Sequence, residues 1–129
     1  MKKFGYTVPT NTPFDEAVSA VERNTAAKGF RVLRVHDVAA TLAEKGFKHE
    51  PLKIIEICNA KYAHEALQKD IATVLMLPCP IAVYRIGGET CISTMLPTVI
   101  GDLFPDIGVE TIAAQVEKAV VSIVDESAK

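Results

Sequence analysis

The sequence lacks the features that define several common classes of protein. It has three cysteines, an odd number without paired spacing, so a secreted disulfide framework is not expected. Lysine and arginine form no run and the net charge is −2, which argues against a nucleic-acid partner. The start, MKKFGYTVPT, has no apolar signal-peptide core, and the longest apolar run, 74–77, is far shorter than a membrane span. We therefore expect a soluble, cytoplasmic protein.

What the sequence does contain is enough apolar material for one globular domain over residues 1–129. Its residues are 49% hydrophobic and 23% charged. Patterns along the chain predict strand, helix, strand, short helix, strand, helix, hairpin and helix. No glycine-rich turn of the phosphate-binding kind joins a strand to a helix. The order favours an α+β two-layer sandwich, with a mixed or mostly antiparallel sheet of about five strands and helices packed mainly on one face.

Local signals place the first elements. Thr12 before Pro13 is typical of a helix N-cap, and an apolar stripe at helical spacing continues through Phe14, Ala17, Val18 and Val21. In the second strand, alternation puts Val32 on one side and Leu33 with Val35 on the other. Residues 97–105 are predicted to be an apolar loop, and a second stripe predicts a helix from about Val109 to Val124.

Gly87-Gly88 predicts a two-residue hairpin turn that pairs Ile86 with Glu89, Tyr84 with Cys91 and Val83 with Ile92. One face of the hairpin then belongs to the core. The other face is unusually apolar for a surface exposed to water and needs a cover. We expect a homodimer through this face, which carries Ala82, Tyr84, Ile86, Cys91 and Met95.

The centre of the chain, residues 54–84, joins two strands through a polar helix. Cys58 ends the first strand, Asn59 is a candidate cap of the helix, and Cys79 opens the second strand between two prolines. A thiol at a helix start can have a lowered pKa and act as a thiolate, whereas a cysteine in a strand is commonly a small apolar packing residue. Cys91 fits only the packing role. His64 is a candidate ligand near the thiols, but no metal-binding spacing is present.

Three motifs follow one another in the centre of the chain: Glu56-Ile57-Cys58-Asn59, the alanine-rich helix after it, and Leu77-Pro78-Cys79 leading into Val83-Tyr84. In these motifs the chain resembles a family of small prokaryotic proteins known as domain-of-unknown-function family 302. Ala60 departs from the family pattern, which usually has proline there. The resemblance implies a two-layer α+β fold and a homodimer, and it implies no activity.

Three functions remain open at this point. The first is a dimeric binding or sensing module for a small ligand or a soft metal, with candidate binding residues Cys58, Asn59, His64 and Cys79. The second is a thiol-based redox or sulfur-handling protein that uses Cys58 or Cys79. The third is a structural dimer whose surface binds a partner. The residues indicate neither a cofactor nor a substrate, and whether the protein is an enzyme is undecided.

Overall fold

The computed structural model describes residues 3–129. Within this range the strands are β1 (Gly5–Thr10), β2 (Arg31–Asp37), β3 (Leu52–Cys58), β4 (Cys79–Ile86) and β5 (Glu89–Met95). The α-helices are α1 (Phe14–Ala27), α2 (Val38–Ala43), α3 (Ala60–Lys69), α4 (Val99–Leu103) and α5 (Glu110–Ser127), and a 3₁₀ helix covers Ile71–Met76. None of the helices in the described chain is long and apolar enough to cross a membrane.

The strands form a sheet in the order β1-β5-β4-β3-β2, and each described pair is antiparallel. One face of the sheet packs against α1 and α5. Alternate residues of the central strands, such as Ile57, Val83 and Ile92, are fully buried there against Val21 and Val120 of the two helices. This arrangement confirms the predicted α+β sandwich and shows that the sheet is antiparallel rather than mixed.

The hairpin has the register that its turn predicts. Ile86 pairs with Glu89, Tyr84 with Cys91 and Val83 with Ile92. Gly87 and Gly88 both have positive φ, +58° and +84°, which suits the tight turn between right-handed twisted strands. Strand alternation therefore puts Tyr84 on the side of the sheet opposite the helices, which we call the open face.

Three local predictions are wrong. Thr12 does not cap α1: Pro13 occupies that position, and the Thr12 hydroxyl instead donates to the carbonyl of Lys129. Leu33 is half-exposed, because a register shift in β2 lets Val32 and Val35 both pack on the core. The expected loop at 97–105 contains α4, which Glu117 of α5 anchors by accepting a hydrogen bond of 2.7 Å from the Thr98 hydroxyl.

Candidate functional site

The end of β3, the start of β4, α3, the 3₁₀ helix and α5 enclose a cavity of about 50 Å³. We call it the thiol cavity, because its wall includes Cys58, Thr73, Cys79, Ile112 and Val116. Nearly all of its other lining is aliphatic or aromatic. Several lining residues, Cys58 and Ile112 among them, are only partly buried, so the cavity opens to solvent on one side.

The sheet register brings Cys58 and Cys79 to the same end of the molecule. Ile57 pairs directly with Cys79, so Cys58 lies one residue beyond the partner of Cys79. Both thiols are free and neither forms a disulfide. The structure therefore brings the two cysteines to one cavity, which spacing along the chain alone could not establish.

Asn59 fixes the turn between β3 and α3. Its side-chain oxygen accepts a hydrogen bond of 3.1 Å from the backbone N–H of Tyr62, and its amide nitrogen donates to the carbonyl of Gly29 at 3.1 Å. The predicted capping role is confirmed. These two hydrogen bonds fix the Asn59 side chain as a support of the cavity wall.

Burial raises the pKa of both thiols in the cavity. The pKa of Cys79 rises to about 11, first because the thiol is desolvated and second because Cys58 lies close enough to repel a thiolate. Desolvation also raises the pKa of Cys58. The lowered pKa considered for a thiol at the start of α3 is therefore not found, because burial shifts the pKa of Cys58 in the opposite direction.

Thr73 is the functional candidate that sequence reasoning missed. Its side chain is 2% exposed, lines the thiol cavity, and its hydroxyl oxygen has no hydrogen-bond partner among residues 3–129. Asp70 caps the 3₁₀ helix by accepting from the N–H of Ala72, which fixes the position of Thr73 one residue later. A threonine inside the otherwise apolar segment IATVLM was the available signal.

Comparison with known proteins places the chain in a family. The sequence model of a family described as "Domain of unknown function DUF302" matches residues 6–127. The chain belongs to the DUF302 family. A solved structure of an uncharacterised conserved DUF302 protein from Bacillus stearothermophilus is 31% identical, with a TM-score of 0.92 over 99% of this chain and 100% of the other. No curated protein matches the chain.

One candidate from the sequence, His64, lies away from the thiol cavity of this DUF302 fold, as does Cys91, to which the sequence assigned only a packing role. His64 is an exposed residue of α3 and lines a separate cleft beside the cavity. Cys91 is buried in β5, where its thiol donates a long hydrogen bond of 3.7 Å to Glu89. Over the described range, residues 3–129, no three side chains of the metal-binding types come together as a metal site.

Proposed function

We propose that the protein is a binding module whose thiol cavity takes a small, mainly apolar ligand beside Cys58 and Cys79. The observation that carries the proposal is an apolar cavity whose wall holds both thiols together with Thr73, a residue whose buried hydroxyl has no partner in the described protein. A cavity lined this way favours apolar groups.

The cost of burying the Thr73 hydroxyl without a hydrogen bond supports this role. A buried polar group without a hydrogen bond costs about 1–3 kcal/mol, so a fold that kept it for stability alone would gain by replacing it with valine. A ligand that places apolar surface against the cavity wall and reaches this hydroxyl with one hydrogen bond would remove that cost.

The thiols fit a recognition role better than a chemical one. Because the pKa of Cys79 is about 11, its thiolate fraction near pH 7 is about one in ten thousand. A nucleophilic or redox cysteine normally depends on a lowered pKa. Cys58 and Cys79 therefore present neutral, polarizable sulfur to the ligand, and the redox alternative has less support than binding.

Xenon is a suitable first probe, because it enters small apolar cavities without needing a hydrogen bond. We expect xenon to shift the amide signals of α3 and β4 in ¹H–¹⁵N correlation spectra of the ¹⁵N-labelled protein. Ala66→Leu, which fills the cavity wall, should abolish these shifts, whereas Ala60→Leu on the exposed start of α3 should leave them unchanged. Equal shifts in both variants would show that xenon binds elsewhere and would contradict the proposal.

The partner expected from the sequence, a second copy of the chain, also remains a proposal. The open face carries Tyr84, Ile86 and Met95, and Ile86 is 61% exposed. The hydroxyl groups on this face are already satisfied, since Ser93 hydrogen-bonds with Tyr84 at 2.8 Å and with Thr7 at 2.7 Å. Because Tyr84 and Ser93 are paired with each other while Ala82, Ile86 and Met95 are apolar, the β4–β5 part of this face suits a symmetric dimer.

A further inference from the structure

A polar depression adjoins the thiol cavity along α3. This α3 cleft is lined by Glu65, Lys69 and Thr111, together with His64, Gln68, Gly108 and Ile112. Ile112 also lines the thiol cavity, so the two depressions share one side chain as a wall. An apolar cavity and a polar cleft thus lie next to each other along the same helix.

Lys69 supplies a positive charge to this cleft. None of the carboxylates in residues 3–129 forms an ion pair with it. Its side chain lies over Gly108, where a Cβ atom built on the glycine would be 3.7 Å from the ammonium nitrogen. Val109, the next residue, is buried and lines the thiol cavity. The ammonium group therefore lies near the boundary between the two depressions.

We propose that the ligand is a small amphiphilic monoanion whose apolar end fills the thiol cavity and whose carboxylate meets Lys69 in the α3 cleft. This inference rests on the proposed binding function. A charged group would not enter the thiol cavity itself, because its apolar wall cannot repay the cost of desolvation. The charge must therefore stay in the cleft, where solvent and Lys69 are both within reach.

The volume of the thiol cavity limits the size of the ligand's apolar end. A cavity of about 150 Å³ holds benzene, with six carbons, and the thiol cavity has about a third of that volume. It therefore accommodates about two or three carbons. The ligand class is a short-chain carboxylate, and butanoate, with a three-carbon chain on its carboxylate, is a fitting probe.

Other charges near the cleft limit how much the Lys69 charge strengthens carboxylate binding. Glu65 lines the same cleft and opposes an anion, and Lys69 ends α3, where the helix dipole is negative. Lys69 is also exposed, and exposed ion pairs contribute little. We therefore expect that loss of the Lys69 charge weakens carboxylate binding only about threefold to fivefold.

The experiment is a ¹H–¹⁵N titration of the full chain with butanoate, butan-1-ol and n-butylammonium, near pH 7 and at low salt. Butanoate should shift the amides of both the thiol cavity and the α3 cleft, and should bind more tightly than n-butylammonium. Lys69→Gln should weaken butanoate about threefold to fivefold and leave butan-1-ol unchanged, whereas Glu65→Gln should strengthen butanoate. Lys61→Gln, an exposed lysine of α3 outside both depressions, is the matched control.

Three results of this titration would overturn the proposed anionic ligand. Equal affinity for butanoate and n-butylammonium would overturn it, as would a Lys69→Gln effect no larger than that of Lys61→Gln. Shifts confined to the last turn of α3 would also overturn it, because the apolar end would then lie outside the cavity. If xenon still binds in any of these cases, the cavity function stands and only the anionic ligand class fails.

Discussion

Thr73→Val is the substitution that most clearly separates a site built for binding from one built for stability. Valine has nearly the shape of threonine but lacks the hydroxyl. Because that hydroxyl is buried without a partner among the described residues, its removal should stabilise the ligand-free protein by about 1 kcal/mol, the lower end of the cost of an unpaired buried polar group. For a chain of 129 residues this corresponds to a rise in Tm of about 4 °C.

Thr25→Val is the matched control. Thr25 is also fully buried, but its hydroxyl donates a hydrogen bond of 2.7 Å to the carbonyl of Val21. Its loss should destabilise the protein by about 1 kcal/mol, so the two variants are expected to move in opposite directions. Urea unfolding at equilibrium, with the midpoint and slope fitted for each protein, measures the difference. Destabilisation by Thr73→Val equal to that by Thr25→Val would refute the reasoning, because it would mean that the Thr73 hydroxyl is satisfied.

Three further results are expected. Val116→Asp should unfold the domain, since it buries an unpaired charge in the core stripe of α5, while Ala114→Asp on the exposed side should remain folded by circular dichroism. The pKa of Cys79 is raised from 9.0 to about 11, so well below pH 9 both folded and unfolded states carry the neutral thiol and the group has no effect. As the pH rises from about 8 to about 11 the unfolded thiol ionises first, and the free energy of unfolding should fall by about 2 kcal/mol more in the wild type than in Cys79→Ala; equal falls would contradict the raised pKa. Light scattering after gel filtration should show a dimer that Ile86→Lys converts to a monomer and Leu103→Lys does not, whereas a wild-type monomer would rule out the proposed partner.

Sequence reasoning succeeded where a few neighbouring residues determine the structure. Gly87-Gly88 fixes the hairpin register through backbone geometry alone, and Asn59 caps α3 through a contact with Tyr62 three residues away. The stripe of α5 depends only on helical spacing, and its central residue Val116 is buried as predicted. In these cases the local signal and the tertiary structure agree.

Sequence reasoning failed where contacts between distant parts of the chain determine the local structure. Thr12 contacts the other end of the chain rather than the helix that it precedes. The packing of Val32 and Val35 depends on an irregularity in pairing with β3, which alternation cannot reveal. The pKa of Cys58 is raised by burial among other elements, which its place at a helix start cannot reveal.

The candidate site was predicted in part. The chain pattern identified Cys58 and Cys79, but only the antiparallel pairing of β3 with β4 puts them beside one cavity. Sequence reasoning missed Thr73, because only the fold shows that its hydroxyl is buried without a hydrogen-bond partner among the described residues. It also included His64, which lies on the same helix but lines the neighbouring cleft.

The central claim is that the thiol cavity is a binding site, and a crystal structure of the protein under xenon pressure tests it most directly. We expect one xenon atom between α3 and α5, in contact with Thr73 and Cys79, and its loss in Ala66→Leu. A crystal with xenon at other positions and none in this cavity would contradict the account.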